Sequence, residues 1–323
     1  MIYENAIASI THYSLPITTA LESFCAPLIL YLTVYHSAQM KRYRYFIMNN
    51  VIWNCLLNWA SCIYRPAYIF PAPCATFEIA IHNTWFTGVS SVVLLFIVVN
   101  AETSVVWSVL YRFFMSYPGW ISDFVEKRRL AIVLFVFAQI FVDFLVLWPF
   151  FVYKRPTAEQ EQFLKEAPYF WPYEPSLGYF CSMDKELLIE IVFGGVIMLM
   201  CFFAMGTVVF IVLCYRVIVV NKDNGEFFAG SLHRMHKILF KAVAFQVLVG
   251  FIFLLFPTVV ILFVFYAQWE EGTTIAAVCL VLVQAHGCAD FFTMIYFIVP
   301  YRRQLLKFFG KATSKVALAD PAT

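Results

Sequence analysis

Charge is scarce in this chain. Only 13% of its 323 residues are Asp, Glu, Lys or Arg, against about one quarter in a soluble domain. That leaves too little polar surface to coat a water-soluble globule of this size. A basic stripe is missing as well, which removes nucleic acid from the candidate partners. No glycine-rich phosphate loop, zinc-protease helix or nucleophile elbow occurs, so nothing argues for an enzyme. The six His form no metal constellation, and neither metal nor cofactor is expected. Asn-x-Ser/Thr sequons are absent, so N-glycosylation is not expected. Met1–Ser14 carries no basic n-region and no small-residue cleavage site. The first apolar run is therefore expected to act as its own targeting signal.

What the chain does have is apolar bulk: 62% hydrophobic residues and 19% aromatics, 36 of them Phe. A helix needs about 20 mostly apolar residues to cross the hydrocarbon core. Seven segments meet that requirement: Leu15–Tyr35, Tyr45–Tyr68, Thr84–Tyr111, Leu130–Val152, Leu188–Tyr215, Leu239–Tyr266 and Thr273–Val299. Strand-like alternation over about ten residues, the mark of a membrane barrel, is missing. Of the 22 Lys and Arg, 17 fall on one side of these spans; Arg65, Lys154, Arg155, Lys165 and Lys185 fall on the other. The basic side is expected to be cytoplasmic. The expected fold is therefore all-α, an integral membrane seven-helix bundle with an extracellular N-terminus and a cytoplasmic C-terminus.

The connections add detail. Tyr153–Leu187 is long and acidic and contains four prolines, so it reads as an extracellular lid. After the last span, Arg302–Phe309 mixes basic and apolar residues, as a short helix on the inner leaflet would. The division expected is a receptor-like domain at 1–310, including that helix, and a short cytoplasmic tail at 311–323. Seven of the nine Cys lie within predicted spans; Cys74 and Cys181 alone lie in extracellular segments. An oxidising compartment favours a bridge between them, and two free thiols is the alternative.

Polar residues inside the spans are costly in lipid and normally face the bundle interior. Glu102, Asp143 and Asp290 are the acids, and Asn54 and Asn58 run through similar depths. At 1.5 Å per residue, Glu102 and Asp290 sit roughly 15 Å from the basic edge. A hydrogen-bonded packing network and a proton or cation site both remain open for these five. Glu22, Glu78, His82 and Glu190 are placed nearer the outer ends, where solvated helix termini or a ligand entrance would hold them.

Two stretches resemble nematode serpentine chemoreceptors of the Str superfamily, most closely the Srh family, with Str and Sri as near alternatives. The first is Leu232 to Ala242, through His233-Arg234-Met235-His236-Lys237 and Lys241, followed by Gln246 and Pro257. The second runs from His286-Gly287-Cys288-Ala289-Asp290 to the closing Pro300-Tyr301-Arg302. The resemblance implies a G-protein-coupled olfactory-type receptor for an environmental small molecule, odorant or pheromone-like. It would sit in the plasma membrane of a sensory-neuron cilium and signal to a heterotrimeric G protein. Arg112, in Leu110-Tyr111-Arg112-Phe113, falls where such receptors carry an acid–Asn–Arg–aromatic motif, though here the acid is missing. A basic residue ending the third helix is equally what the positive-inside rule would place there. On this reading Arg112, Lys237, Lys241, Pro300, Tyr301 and Arg302 form the coupling surface, and Pro257 hinges the sixth helix. The competing function is a small-solute or proton-coupled transporter using Glu102, Asp143 and Asp290.

Overall fold

The computed structural model describes residues 2–36, 42–69, 74–77, 84–115, 120–147, 180–181, 245–267, 269 and 272–308. The predicted fifth span, most of the lid, and Lys237 and Lys241 lie outside these residues. In chain order the elements are α1 (Ile2–His36), α2 (Tyr43–Tyr64), β1 (Pro66–Ile69), β2 (Cys74–Phe77), α3 (Thr84–Met115), α4 (Trp120–Lys127), α5 (Arg129–Leu147) and β3 (Phe180–Cys181). There follow α6, the helical run 245–267, then α7 (Gly272–Phe297) and α8 (Val299–Phe308). The predicted helical membrane bundle is what forms. By length and composition alone, Tyr13–Tyr35, Phe86–Tyr111 and Thr274–Phe297 suffice to cross a membrane.

Packing follows from which faces are polar. α1 lies between α2 and α7, α3 packs on α2 and α5, and α6 packs on α7. The interior receives Asn50, Asn54, Asn58, Ser104, Ser108, Gln246, Gln284 and Asp290, while Phe24, Phe137, Ile140, Phe144 and Phe292 face outward. This inverts the soluble pattern, as lipid requires: polar groups must find partners inside, and apolar ones need no burial. At the arginine-rich end, Ile29, Ile47, Val51, Tyr111, Val125, Phe291, Met294 and Tyr301 form one apolar cluster. A second, around Leu57, Leu94, Val105, Leu254 and Val283, lies toward the strands.

Helix α2 stops four residues short of the predicted span. Arg65 takes a left-handed conformation (φ 45°) and its backbone N–H donates to Ser61 O, closing the helix at 2.9 Å. Pro66 then starts β1, since the residue before a proline is disfavoured in the α region. The three strands form an antiparallel sheet, order β1-β2-β3, with β1 beside α7 and β3 beside α3. Such short strands were not foreseen in an otherwise all-α chain.

Helix α6 carries a local widening. Phe251–Leu255 form a π turn, and the Phe256 N–H donates to Phe251 O, five residues back. Pro257, which follows at once, lacks an N–H and would crowd the carbonyl four residues earlier in a regular helix. A π turn is a known way to absorb such a conflict and is frequent at functional sites.

Candidate functional site

The bundle interior is organised on Asp290. Its side chain is fully buried on α7 and accepts from two other helices. The Asn50 amide donates to Oδ2 at 2.5 Å and the Gln246 amide to Oδ1 at 2.9 Å. The Thr293 hydroxyl, one turn on, lies 3.4 Å from Oδ1 and donates to the Asp290 carbonyl at 2.7 Å. Asn50 extends the network: its Oδ1 accepts from Ser104 of α3 at 2.9 Å and from Asn54 at 2.8 Å. Four helices, α2, α3, α6 and α7, therefore meet through one carboxylate and one amide.

Helix α2 supplies this because Asn50, Asn54 and Asn58 are spaced i, i+4, i+8 and share a face. Asn58 continues the ladder outward, donating to Asn54 O and to Gln284 O of α7, both at 3.4 Å. Its own backbone carbonyl accepts from Thr19 of α1 at 3.2 Å.

The sequence placed Asn54, Asn58, Glu102, Asp143 and Asp290 in one intramembrane set. Asn54, Asn58 and Asp290 do share this junction. Glu102 and Asp143 stand apart, with no hydrogen bond joining them to it among the described residues. Glu102 accepts from Thr258 of α6 at 3.3 Å. Asp143 of α5 accepts from Asn100 of α3 at 3.1 Å and from Gln139 at 2.9 Å, and Gln139 also takes the Trp107 indole N–H at 2.7 Å. Glu22, expected at a solvated helix terminus or a ligand entrance, is 1% exposed and so is not solvated. Asn50, the most connected amide, went unnamed in the sequence, although its position four residues before Asn54 was the available signal.

The arginine-rich end is a second constellation. Tyr111 stacks on Tyr43 with ring centroids 5.6 Å apart, and its hydroxyl donates to Glu126 of α4. The Arg42 guanidinium donates to the carbonyls of Val125 and Arg128, each at 2.8 Å, pinning the start of α2 to the α4–α5 corner. Arg112 occupies the last turns of α3, next to this tyrosine clasp. Of the closing triplet, Tyr301 is fully buried and its hydroxyl lies 2.8 Å from Thr33 Oγ1 of α1. Tyr301 is thus a tie between α8 and α1, while Arg302 is half-buried beside it. Pro300 begins the turn into α8, and Pro257 is buried beyond the π turn.

At the opposite end, the β2–β3 register sets Cys74 directly opposite Cys181. Directly paired residues of antiparallel strands have Cα atoms about 4.5–5.5 Å apart, within the span a disulfide uses.

Among the described residues the chain is thus a helical bundle with a polar interior junction, a proline-linked π turn in α6 and a clasp at its basic end. The chain matches the family model for the serpentine type 7TM GPCR chemoreceptor Srh over residues 3–311. It belongs to that family. A comparison with curated proteins finds no match.

Proposed function

We propose that this chain detects an environmental small molecule, odorant or pheromone-like, at the strand-bearing end of its bundle. The response passes to a heterotrimeric G protein at the arginine-rich end. Family membership makes it a chemoreceptor of the G-protein-coupled type; direction and partner are our reading. The observation that carries it is the Asp290 junction. It ties α6 to α2, α3 and α7 through Gln246, five residues before the π turn and eleven before Pro257. A ligand that pulls on α6 beyond that turn competes with a small number of interior hydrogen bonds. It shifts the helices only by as much as it prefers the shifted arrangement.

The strand-bearing end would face outward, with Cys74 and Cys181 bridged and the lid over the ligand. The N-terminus would lie outside, and the tail beyond residue 310 in the cytoplasm. The sensory cilium is the fitting membrane. Arg112, Lys237, Lys241 and Arg302 would present the surface for the G protein, with Pro257 as the hinge and Pro300–Tyr301 holding α8 in register. The transporter alternative gains nothing from the interior, because Glu102, Asp143 and Asp290 share no hydrogen-bond partner among the described residues.

The test is Arg112→Ala in cells expressing a promiscuous G protein, screened with a panel of volatile and pheromone-like compounds. The variant should reach the surface at the wild-type level, bind its ligand and lose evoked signalling. Undiminished signalling at normal surface level would remove Arg112 from the mechanism.

A further inference from the structure

Apart from the Asp290 hydrogen bonds and the coupling end, a third polar region lies on the seam where α1 meets α2 and α7. Its centre is Glu22 of α1, which is 1% exposed. The side chain lies against Gly287 of α7, and a Cβ built there would fall on the carboxyl group itself. Gly287 is thus the notch that this group fills.

The donors around Glu22 are already engaged. Within one turn of it on α1, the hydroxyls of Thr18, Thr19 and Ser23 donate to carbonyls of their own helix at 3.0, 2.8 and 2.7 Å. Asn58 of α2 stands beside the carboxyl group. Its amide nitrogen carries two hydrogens, and they go to Asn54 O and to Gln284 O of α7, both at 3.4 Å. What remains is Asn58 Oδ1, a buried acceptor that, like both Glu22 oxygens, meets no donor among the described residues. Two acceptors side by side need a proton between them. An Asn58 N–H turned to an ionised Glu22 would take a hydrogen from one of those carbonyls and still leave Oδ1 without a donor. A proton on the carboxyl group, donated to Oδ1, satisfies both residues at once.

Charge points the same way. The cores of the predicted spans contain no Lys or Arg. The ionisable groups that act on Glu22 are Asp290 and Cys288 of α7, Cys25 of α1 and Cys55 of α2. None of these is cationic. The imidazole of His286, buried on α7, acts on Asp290. A carboxylate buried without a counter-charge is so costly that the group takes up a proton instead.

We propose that Glu22 is a proton-binding site: the folded chain holds it as the neutral acid, with its O–H donating to Asn58 Oδ1 and its carboxyl group in the Gly287 notch. The seam between α1 and α7 is then proton-dependent. Loss of the proton leaves a carboxylate facing an amide oxygen and the charge of Asp290, which drives α1 away from α7. A glutamic acid in water ionises at about pH 4.3, so above that pH unfolding releases the proton, and raising the pH weakens the fold. The proposal is independent of the receptor reading, because it concerns what the folded chain binds and not what it signals.

The test uses the full chain in maltoside micelles. Infrared spectra of wild type and Glu22→Gln are compared at neutral pH. Wild type should show the C=O band of a protonated carboxylic acid, shifted on exchange into D2O, that Glu22→Gln lacks. Loss of an ionised-carboxylate band in its place would overturn the site. Thermal unfolding gives a second readout: raising the pH from about 5 to about 8 should lower the Tm of wild type more steeply than that of Glu22→Gln. Equal slopes would refute the proton dependence. Should Glu22→Gln fail to fold, Asn58→Leu decides, since the acid band should move to higher frequency once its acceptor is gone, and an unmoved band refutes the bond.

Discussion

Asp290 and Asp143 are the same residue type in membrane-spanning helices of one bundle, and they do different work. Asp290 is fully buried and accepts from amides of two other helices, one of which is held in turn by a third. Asp143 is partly exposed at the α3–α5 flank. Of its two amide donors only Asn100 comes from another helix, and it also donates to Phe96 O at 2.9 Å; Gln139 lies one turn away on the same helix. An acid in a span is thus not one kind of feature. What decides its weight is how many helices depend on it and whether those partners have anywhere else to go.

The largest expected effect tests the first half of that contrast. Asp290→Ala leaves the amides of Asn50 and Gln246 buried without their acceptor. At about 1–3 kcal/mol for each orphaned donor, the bundle should lose about 2–6 kcal/mol. Thermal unfolding of the purified variant measures it. A loss no greater than that of the Asp143 variant would erase the distinction. Asp290→Asn should cost less, because its carbonyl still accepts one of the two amides.

A proposed Cys74–Cys181 bridge, at the far end from the tyrosine clasp, would sharpen the comparison by adding a fastening of another kind. If the bridge forms, Cys74→Ser together with Cys181→Ser should cost about 2–4 kcal/mol. The loss should add to that of Asp290→Ala within about 0.5 kcal/mol, as distant sites do. Peptide mapping that found both thiols free in surface-expressed protein would end the idea.

How much of this was legible beforehand depends on the physics of each feature. The helical bundle was, because long apolar runs have few other uses. Asp290 was legible as an interior residue for the same reason: a charge in lipid must turn inward. Its partners were not. Asn50 and Gln246 are uncharged, so their cost in a span is small and their signal weak, and only three-dimensional packing brings positions 50, 246 and 290 together. Glu22 was expected at a solvated terminus or a ligand entrance; its burial against Gly287 of α7 comes from helix packing, which the sequence does not display. The three strands were missed since four residues, or two, carry too little alternation to register. The π turn has no composition of its own, although Pro257 marked its neighbourhood.

The smallest expected effect completes the contrast. Asp143→Leu removes an acceptor from Asn100 and Gln139, and both lie at the α3–α5 flank rather than in the Asp290 junction. The Asn100 amide keeps its bond to Phe96 O within its own helix; the Gln139 amide N–H loses its acceptor, although Gln139 Oε1 keeps the Trp107 indole and the side chain is partly exposed. Asp143 is partly exposed, so the leucine replacing it meets lipid, where an apolar side chain is at no disadvantage. Side-chain hydrogen bonds between membrane helices are worth about 0.6 kcal/mol on average, and only one of the two bonds to Asp143 crosses between helices. A change below about 1 kcal/mol in unfolding free energy is therefore expected, of either sign, with surface expression unaltered. A loss matching that of Asp290→Ala would mean that the α3–α5 flank carries as much of the bundle as the interior does. Helix-crossing number would then no longer explain which buried acids matter.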